Sequence, residues 1–307
     1  MAVTCERFTF PSVTGQPLDA RLWLPEGAPV AVVQLVHGMA EHIDRYDRPA
    51  RALCAAGFAV VGHTHLGHGP AAPVKGYFGD HGWDNLIADV HTLRGLTAER
   101  FPGVPYVILG HSMGSFITRC YLTEHGEGLA AAVISGTGHY APAMVAVALG
   151  LSSIICAFGG EKKPSRLINA IGFASANHSF EPARTPHDWL SRDPAAVDAY
   201  EADTTCGFLF TGSGYRELFR GLRRLCDLQA LRRMPKDLPV LFFSGERDPI
   251  GENGAGVRRV AQEFRDAGMT DVTVKLYPEG RHEMFNELNH EEAEGDLIAW
   301  LTDRLKR

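Results

Sequence analysis

The sequence predicts an α/β protein: an open, mostly parallel sheet with helices on both faces and one long insertion after a strand. Three observations carry this. Short, nearly continuous apolar runs alternate with stretches of helical spacing along most of the chain, the pattern of parallel strands joined by crossover helices. The opening segment breaks that alternation. Between 138 and 215 the alternation stops altogether.

The elements follow in order. "RFTFPSVTGQPLDARLWLP" holds two alternating runs around a Gly-Gln turn and predicts an antiparallel hairpin at the sheet edge. "VAVVQLVHG" (30–38) is a β-branched run ending in Gly, as expected of a strand buried on both faces. "RYDRPARALCAAGF" has helical spacing and a stop at Gly57, and "AVVGH" is the next strand. After the Gly-rich loop "HLGHGPAAP" come a helix over about 85–100, the strand "VPYVILG", the helix "SFITRCYLTEHG" ending at Gly126, and the strand "LAAAVISG". The alternation resumes with "LPVLFFSG", a helix around 255–267, "VTVKLYP" and a last helix from about Asn289 to Arg304. Residues 1–137 and 216–307 are therefore expected to form the body, and 138–215 a lid or cap inserted into it. In such sheets ligands bind beyond the carboxyl ends of the strands.

Bulk properties narrow the function. With 307 residues the chain can bury a sizeable core, and a formal charge of -6 leaves no basic footprint for nucleic acid. Six scattered cysteines without a C-x-x-C pair are expected to be thiols in a reducing compartment. No signal peptide is visible in "MAVTCERFTF", so a cytoplasmic location is expected. Residues 141–160 carry no charge over about the length of a membrane span, but Pro142, Gly150, Ser152, Ser153 and a closing Gly-Gly favour an apolar lid helix instead.

The chemistry concentrates at "VILGHSMGSF" (107–116). G-x-S-x-G directly after a strand and before a helix is the pattern of a nucleophile elbow, whose sharp turn leaves no room for side chains at Gly110 and Gly114. A serine hydroxyl needs a base, and the base needs an orienting carboxylate. In this architecture they follow in the order serine, acid, histidine, each on a loop after a strand. Asp248 lies beyond "LPVLFFSG" and His282 beyond "VTVKLYP", so these two are the expected partners of Ser112. Oxyanion donors are expected from the backbone N–H groups of Met113 and of Met39 in "VHGMAEH", each worth about 2.7–4 kcal/mol. His37 is expected to pack and orient that loop. His37, His42, His63, His65 and His68 meet no carboxylate or cysteine at a familiar spacing, so no metal is expected, nor any other cofactor.

"HGMAEHIDRYDRPARAL", "GHTHLGHG", "GHSMGS", "SGERDPIG" and "GRHEMFNE" together resemble the α/β-hydrolase group of monoacylglycerol lipases and bacterial lysophospholipases, which includes the S33 serine aminopeptidases. The five blocks fall in order over nearly the whole chain. The resemblance implies an α/β-hydrolase fold and hydrolysis of a single-chain acyl ester, a small-molecule substrate, under a lid that leaves peripheral membrane contact open, with 141–160 expected to form part of that lid and of an acyl-chain pocket. It carries Ser112, Asp248 and His282 onto the triad and Met39 and Met113 onto the oxyanion hole. Glu41 and Arg45 match positions near the glycerol end of the site, with a salt bridge bracing the loop as the alternative. The family's Asp-His-Arg-Gly-His-Gly stands here as Thr64-His65-Leu66-Gly67-His68-Gly69. Two other readings remain open: a proline-type aminopeptidase, with Glu181, Asp188 or Asp193 of the lid holding a substrate amine, and a catalytically silent ligand-binding protein. Neither acyl length nor oligomeric state is legible.

Overall fold

The structure, a computed structural model, describes residues 3–173 and 176–306. Eight strands form one sheet: β1 (Thr4–Pro11), β2 (Pro17–Leu24), β3 (Ala31–Val36), β4 (Phe58–His63), β5 (Tyr106–His111), β6 (Ala131–Ser135), β7 (Val240–Gly245) and β8 (Val272–Tyr277). Their spatial order is β1-β2-β4-β3-β5-β6-β7-β8. β2 runs antiparallel to both neighbours, and β3 through β8 are parallel. The expected edge hairpin is β1–β2, with Phe10 opposite Leu18 next to the turn.

The continuous apolar runs are explained by burial on two faces. In β3, β5, β6 and β7 successive residues alternate between two cores. Val32, Ile108, Ile134 and Phe242 face one core, and Val33, Leu109, Val133 and Phe243 the other. Helices α1 (Asp47–Ala55) and α10 (His290–Leu305) cover the second face with Ala50, Leu53, Leu297 and Leu301. Helices α2 (Gly82–Arg100), α3 (Met113–His125), α7 (Gly212–Leu225) and α9 (Ala255–Asp266) contribute to the first, through residues such as Leu86, Ile117, Leu218 and Phe264. The polar side chain of Gln34 on β3 is fully buried and satisfied: Tyr106 Oη donates to its Oε1 at 2.7 Å and its Nε2 donates to Val90 O at 2.9 Å.

β3 lies between β4 and β5, so the chain leaves it in opposite directions. That reversal opens a crevice beyond the carboxyl ends of β3 and β5. The insertion after β6 contains α4 (Pro142–Ile155), a π-helical turn over Cys156–Gly160, α5 (Arg166–Phe173) and α6 (Pro194–Ala202). α7 starts at Gly212 and runs through the expected boundary at 215, and the short α8 (Leu228–Leu231) follows it. The segment Pro142–Gly160 is one 19-residue helical stretch long and apolar enough to cross a membrane, and only 11% of it is buried.

Candidate active site

β5 ends at His111 and α3 begins at Met113, so Ser112 occupies the turn alone, at φ 52° and ψ −121°. A positive φ at a residue with a side chain costs about 1–3 kcal/mol and persists only where the surroundings enforce it. Here Ser112 N donates to Ser135 O at 3.0 Å, and Ser112 O accepts from Ser115 N and Oγ at 2.8 and 2.6 Å. The flanking glycines have the steric role expected of them. A Cβ at position 114 would stand 2.0 Å from Val36 O, and one at 110 would stand 2.3 Å from Gly114 O.

Asp248 and His282 lie on the loops after β7 and β8 and meet in the interior: His282 Nδ1 and Asp248 Oδ2 are 2.9 Å apart, with both side chains buried. Asp248 also accepts from Ile250 N at 2.9 Å and Ser244 Oγ at 3.3 Å, which fixes its plane. Burial alone would lower the His282 pKa. The charge and hydrogen bond of Asp248, helped by Glu283 and Glu41, outweigh it, and the pKa is raised. With Nδ1 engaged, Nε2 is the ring nitrogen left for proton transfer. His282 and Ser112 line the same cavity.

The loop after β3 supplies the other wall. A Cβ on Gly38 would lie 3.0 Å from Ser112 Cβ, so backbone passes directly beside the serine. Neither Met39 N nor Met113 N has a protein acceptor among the described residues. Glu41 braces the loop from behind: its Oε1 accepts from Gly38 N at 2.6 Å and Tyr46 Oη at 2.9 Å, and its Oε2 accepts from Arg45 at 2.6 Å. Arg45 then makes a bidentate pair with Glu283 at 2.8 and 2.7 Å, tying the loop after β3 to the loop after β8. Burial pushes the Glu41 carboxyl up, while the two Arg45 bonds hold Glu283 well below the usual carboxylate range. Glu41 lines the cavity, whereas Arg45 stands behind it. The salt bridge weighed against a glycerol contact for this pair is present in the fold.

His37 has the packing role expected of it. Its Nε2 accepts from His65 N at 2.9 Å and its Nδ1 lies 2.8 Å from Gly38 O, an arrangement only a neutral ring with Nδ1–H can make. His63, His65 and His68 are buried around it, and burial pulls His63 down to about 3 and His68 to about 4. The unusual Thr64 and Leu66 are buried as well, Leu66 within the first core.

The cavity holds about 440 Å³. Its lid side is built by Asn169, Asn177, His187, Trp189, Tyr200 and Phe208, which corrects one expectation: no residue of 141–160 lines it. That stretch is apolar because it packs one side on α7 and leaves the other exposed. Glu181, Asp188 and Asp193 are likewise outside the lining. Asp188 accepts from Arg184 N and Thr185 Oγ1, and Asp193 caps α6 through Ala195 N.

Trp189 carried no sequence signal, because its partner is 93 positions away. Its ring lies 4.8 Å from the His282 ring, and Glu283 N donates to Leu190 O at 2.8 Å. Arg192 pairs with the fully buried Glu287 at 2.8 Å, and Arg281 donates to Asp188 O. Residues 188–192 of the insertion are thus fastened to the loop after β8. Glu283 and His111, which also line the cavity, could have been suspected only as neighbours of His282 and Ser112.

The sequence matches the serine aminopeptidase S33 hydrolase family over residues 27–289. The chain belongs to that family. Among its S33 relatives, the monoacylglycerol lipase of Mycolicibacterium smegmatis is 30% identical, with 98% of this chain and 99% of that one aligned. Human monoglyceride lipase is 28% identical over 89% of this chain and 82% of its own length. A thermostable carboxyl esterase from Bacillus coagulans, solved with glycerol, superposes with a TM-score of 0.92 at 29% identity over 99% of both chains. This S33 member is a hydrolase enzyme of monoacylglycerol-lipase type with the α/β-hydrolase fold.

Proposed function

We propose that the protein hydrolyses carboxylic esters of single-chain acyl lipids, monoacylglycerols or lysophospholipid-like esters, through an acyl-enzyme on Ser112. The observation that carries this reading is the buried 2.9 Å His282–Asp248 pair opening on the same cavity as Ser112. The names of the relatives, a monoacylglycerol lipase and a glycerol-bound carboxyl esterase, point the same way. Ser112 Oγ attacks the ester carbonyl while His282 Nε2 takes its proton and Asp248 stabilises the imidazolium. The N–H groups of Met39 and Met113 hold the oxyanion. His282 then protonates the departing alcohol, and a water activated by the same ring releases the fatty acid.

In this reading residues 138–215 act as lid over the body, the cavity under Trp189 and Phe208 takes the acyl chain, and Glu41 and Arg45 shape the alcohol end. The exposed apolar side chains Met144, Val147, Ile154, Phe158, Leu167 and Ile171, beside Lys162, Lys163 and Arg166, fit a lid that rests on a lipid surface. Six free cysteines fit a cytoplasmic location.

Ser112→Ala is expected to abolish hydrolysis of p-nitrophenyl esters and labelling by a fluorophosphonate, with an unchanged circular dichroism spectrum. Retained turnover or labelling would defeat the assignment. Run beside it, 1-monoacylglycerols are expected to be cleaved and proline arylamides not. The reverse preference would make the protein a peptidase.

A further inference from the structure

Beside the cavity, the lid and the body meet at a second cluster. His42 lies on the body loop three residues after Met39, and Asp203 and Cys206 lie on the lid turn that follows α6. One ligand atom from each, the His42 imidazole nitrogen, an Asp203 oxygen and Cys206 Sγ, all fall within 4.8 Å of one another. The set was invisible in the sequence because His42 lies more than 160 positions from Asp203 and Cys206.

We propose that His42, Asp203 and Cys206 bind a zinc-class divalent ion that clasps the lid to the oxyanion-side loop. Imidazole, carboxylate and thiolate are the donors that such borderline-soft ions take, with a water completing a tetrahedron. The carboxylate is already oriented: Asp203 Oδ1 accepts from Thr205 N at 2.8 Å and Thr205 Oγ1 at 2.5 Å, which leaves Oδ2 facing His42 Nε2 at 2.8 Å. Cys206 Sγ has no hydrogen-bond partner among the described residues, and the residue is 9% exposed. A further cavity of about 280 Å³, lined by His42, Asp44, Arg45, Asp203, Tyr200 and Asn286, opens beside two of the three ligands.

Binding needs a small rearrangement. Bonds of about 2.0–2.3 Å require the sulfur to turn inward and the His42–Asp203 bond to open. The His42 proton moves from Nε2 to Nδ1, the Cys206 S–H bond breaks, and that one proton goes to solvent as the metal–sulfur, metal–nitrogen and metal–oxygen bonds form. The clasp would add to direct lid-to-body bonds already present, Gly207 N to Ala40 O at 3.0 Å and Tyr200 Oη to Ala40 O at 3.2 Å.

The test titrates the chelator-stripped full chain with Co2+ and follows the thiolate-to-cobalt charge-transfer band, while Zn2+ is scored by thermal shift. One ion per chain is expected to develop the band, and Zn2+ to raise the melting temperature. Cys206→Ser is expected to lose both. Thr205→Val, which keeps all three ligands, should retain the band with affinity weakened about 10–100-fold. Absence of the band in the wild type, or its survival in Cys206→Ser, overturns the proposal. If Cys206→Ser does not fold, Asp203→Asn carries the same comparison: an unweakened affinity overturns the site. The clasp is independent of the esterase reading, since Ser112→Ala is expected to keep the band whether or not it loses hydrolysis.

Discussion

His282 is 2% exposed, and burial by itself pulls an imidazole toward neutrality. Asp248 at 2.9 Å reverses that sign, so the ring titrates above its ordinary value of 6.5. Two consequences follow, of opposite use. The raised pKa contributes stability that is fully present below the unfolded value and lost as pH rises through the folded one. Catalysis needs the neutral ring, so kcat/KM on an uncharged ester is expected to fall on the acid side with a midpoint above 6.5. Asp248→Asn should move that limb to lower pH, because burial is then opposed only by Glu283 and Glu41, and should lower kcat about 10⁴-fold by losing the oriented tautomer. A pH–rate profile of both proteins checks this, and an unmoved limb would remove Asp248 from the role. The loops that carry these side chains were legible in the sequence because each follows a short run of strand-forming residues, VLFFSG and VTVKLY. Trp189 and Leu190, which meet the histidine loop through a ring face and a backbone carbonyl, were not, since neither contact demands a particular residue type nearby in the chain.

Among the elements, the loop after β3 and the loop after β8 are coupled through one cation. Arg45 is 13% exposed and serves Glu41 and Glu283, 4% and 7% exposed. Arg45→Met would leave two buried carboxylates without their counter-charge, and a change of that kind costs about 3–5 kcal/mol. Urea unfolding should show a lower midpoint at unchanged slope, and kcat should fall as well, because Glu41 holds Gly38 N beside the serine. A variant as stable as wild type would make the bridge incidental. The strands and body helices were readable because their burial imposes a period of two or of 3.6. The lid resisted because its residues satisfy one another locally, as Arg184, Thr185 and Asp188 do, and impose no period.

For the whole molecule, the sheet accounts for the apolar residues that strands and helices bury, and residues 138–215 carry the three most exposed large apolar side chains, Phe158, Val147 and Ile171. Phe158 is 88% exposed and Val147 73%, on a stretch where 11% is buried. The uncharged composition of 141–160 raised the question of a membrane span or a lid helix. In the fold that stretch is a helix packed against α7 with most of its apolar side chains exposed, which fits the proposed rest in a lipid interface. Lys162, Lys163 and Arg166 at its end would each add about 1 kcal/mol toward an anionic surface. Val147→Asp with Phe158→Asp is therefore expected to release the protein from phosphatidylglycerol-containing vesicles in a sedimentation assay. Hydrolysis of a water-soluble short-chain ester should stay the same, because neither residue lines the catalytic cavity. Turnover of a long-chain monoacylglycerol presented in those vesicles should drop in proportion to the lost binding. Equal sedimentation of variant and wild type would show that the exposed helix has another use.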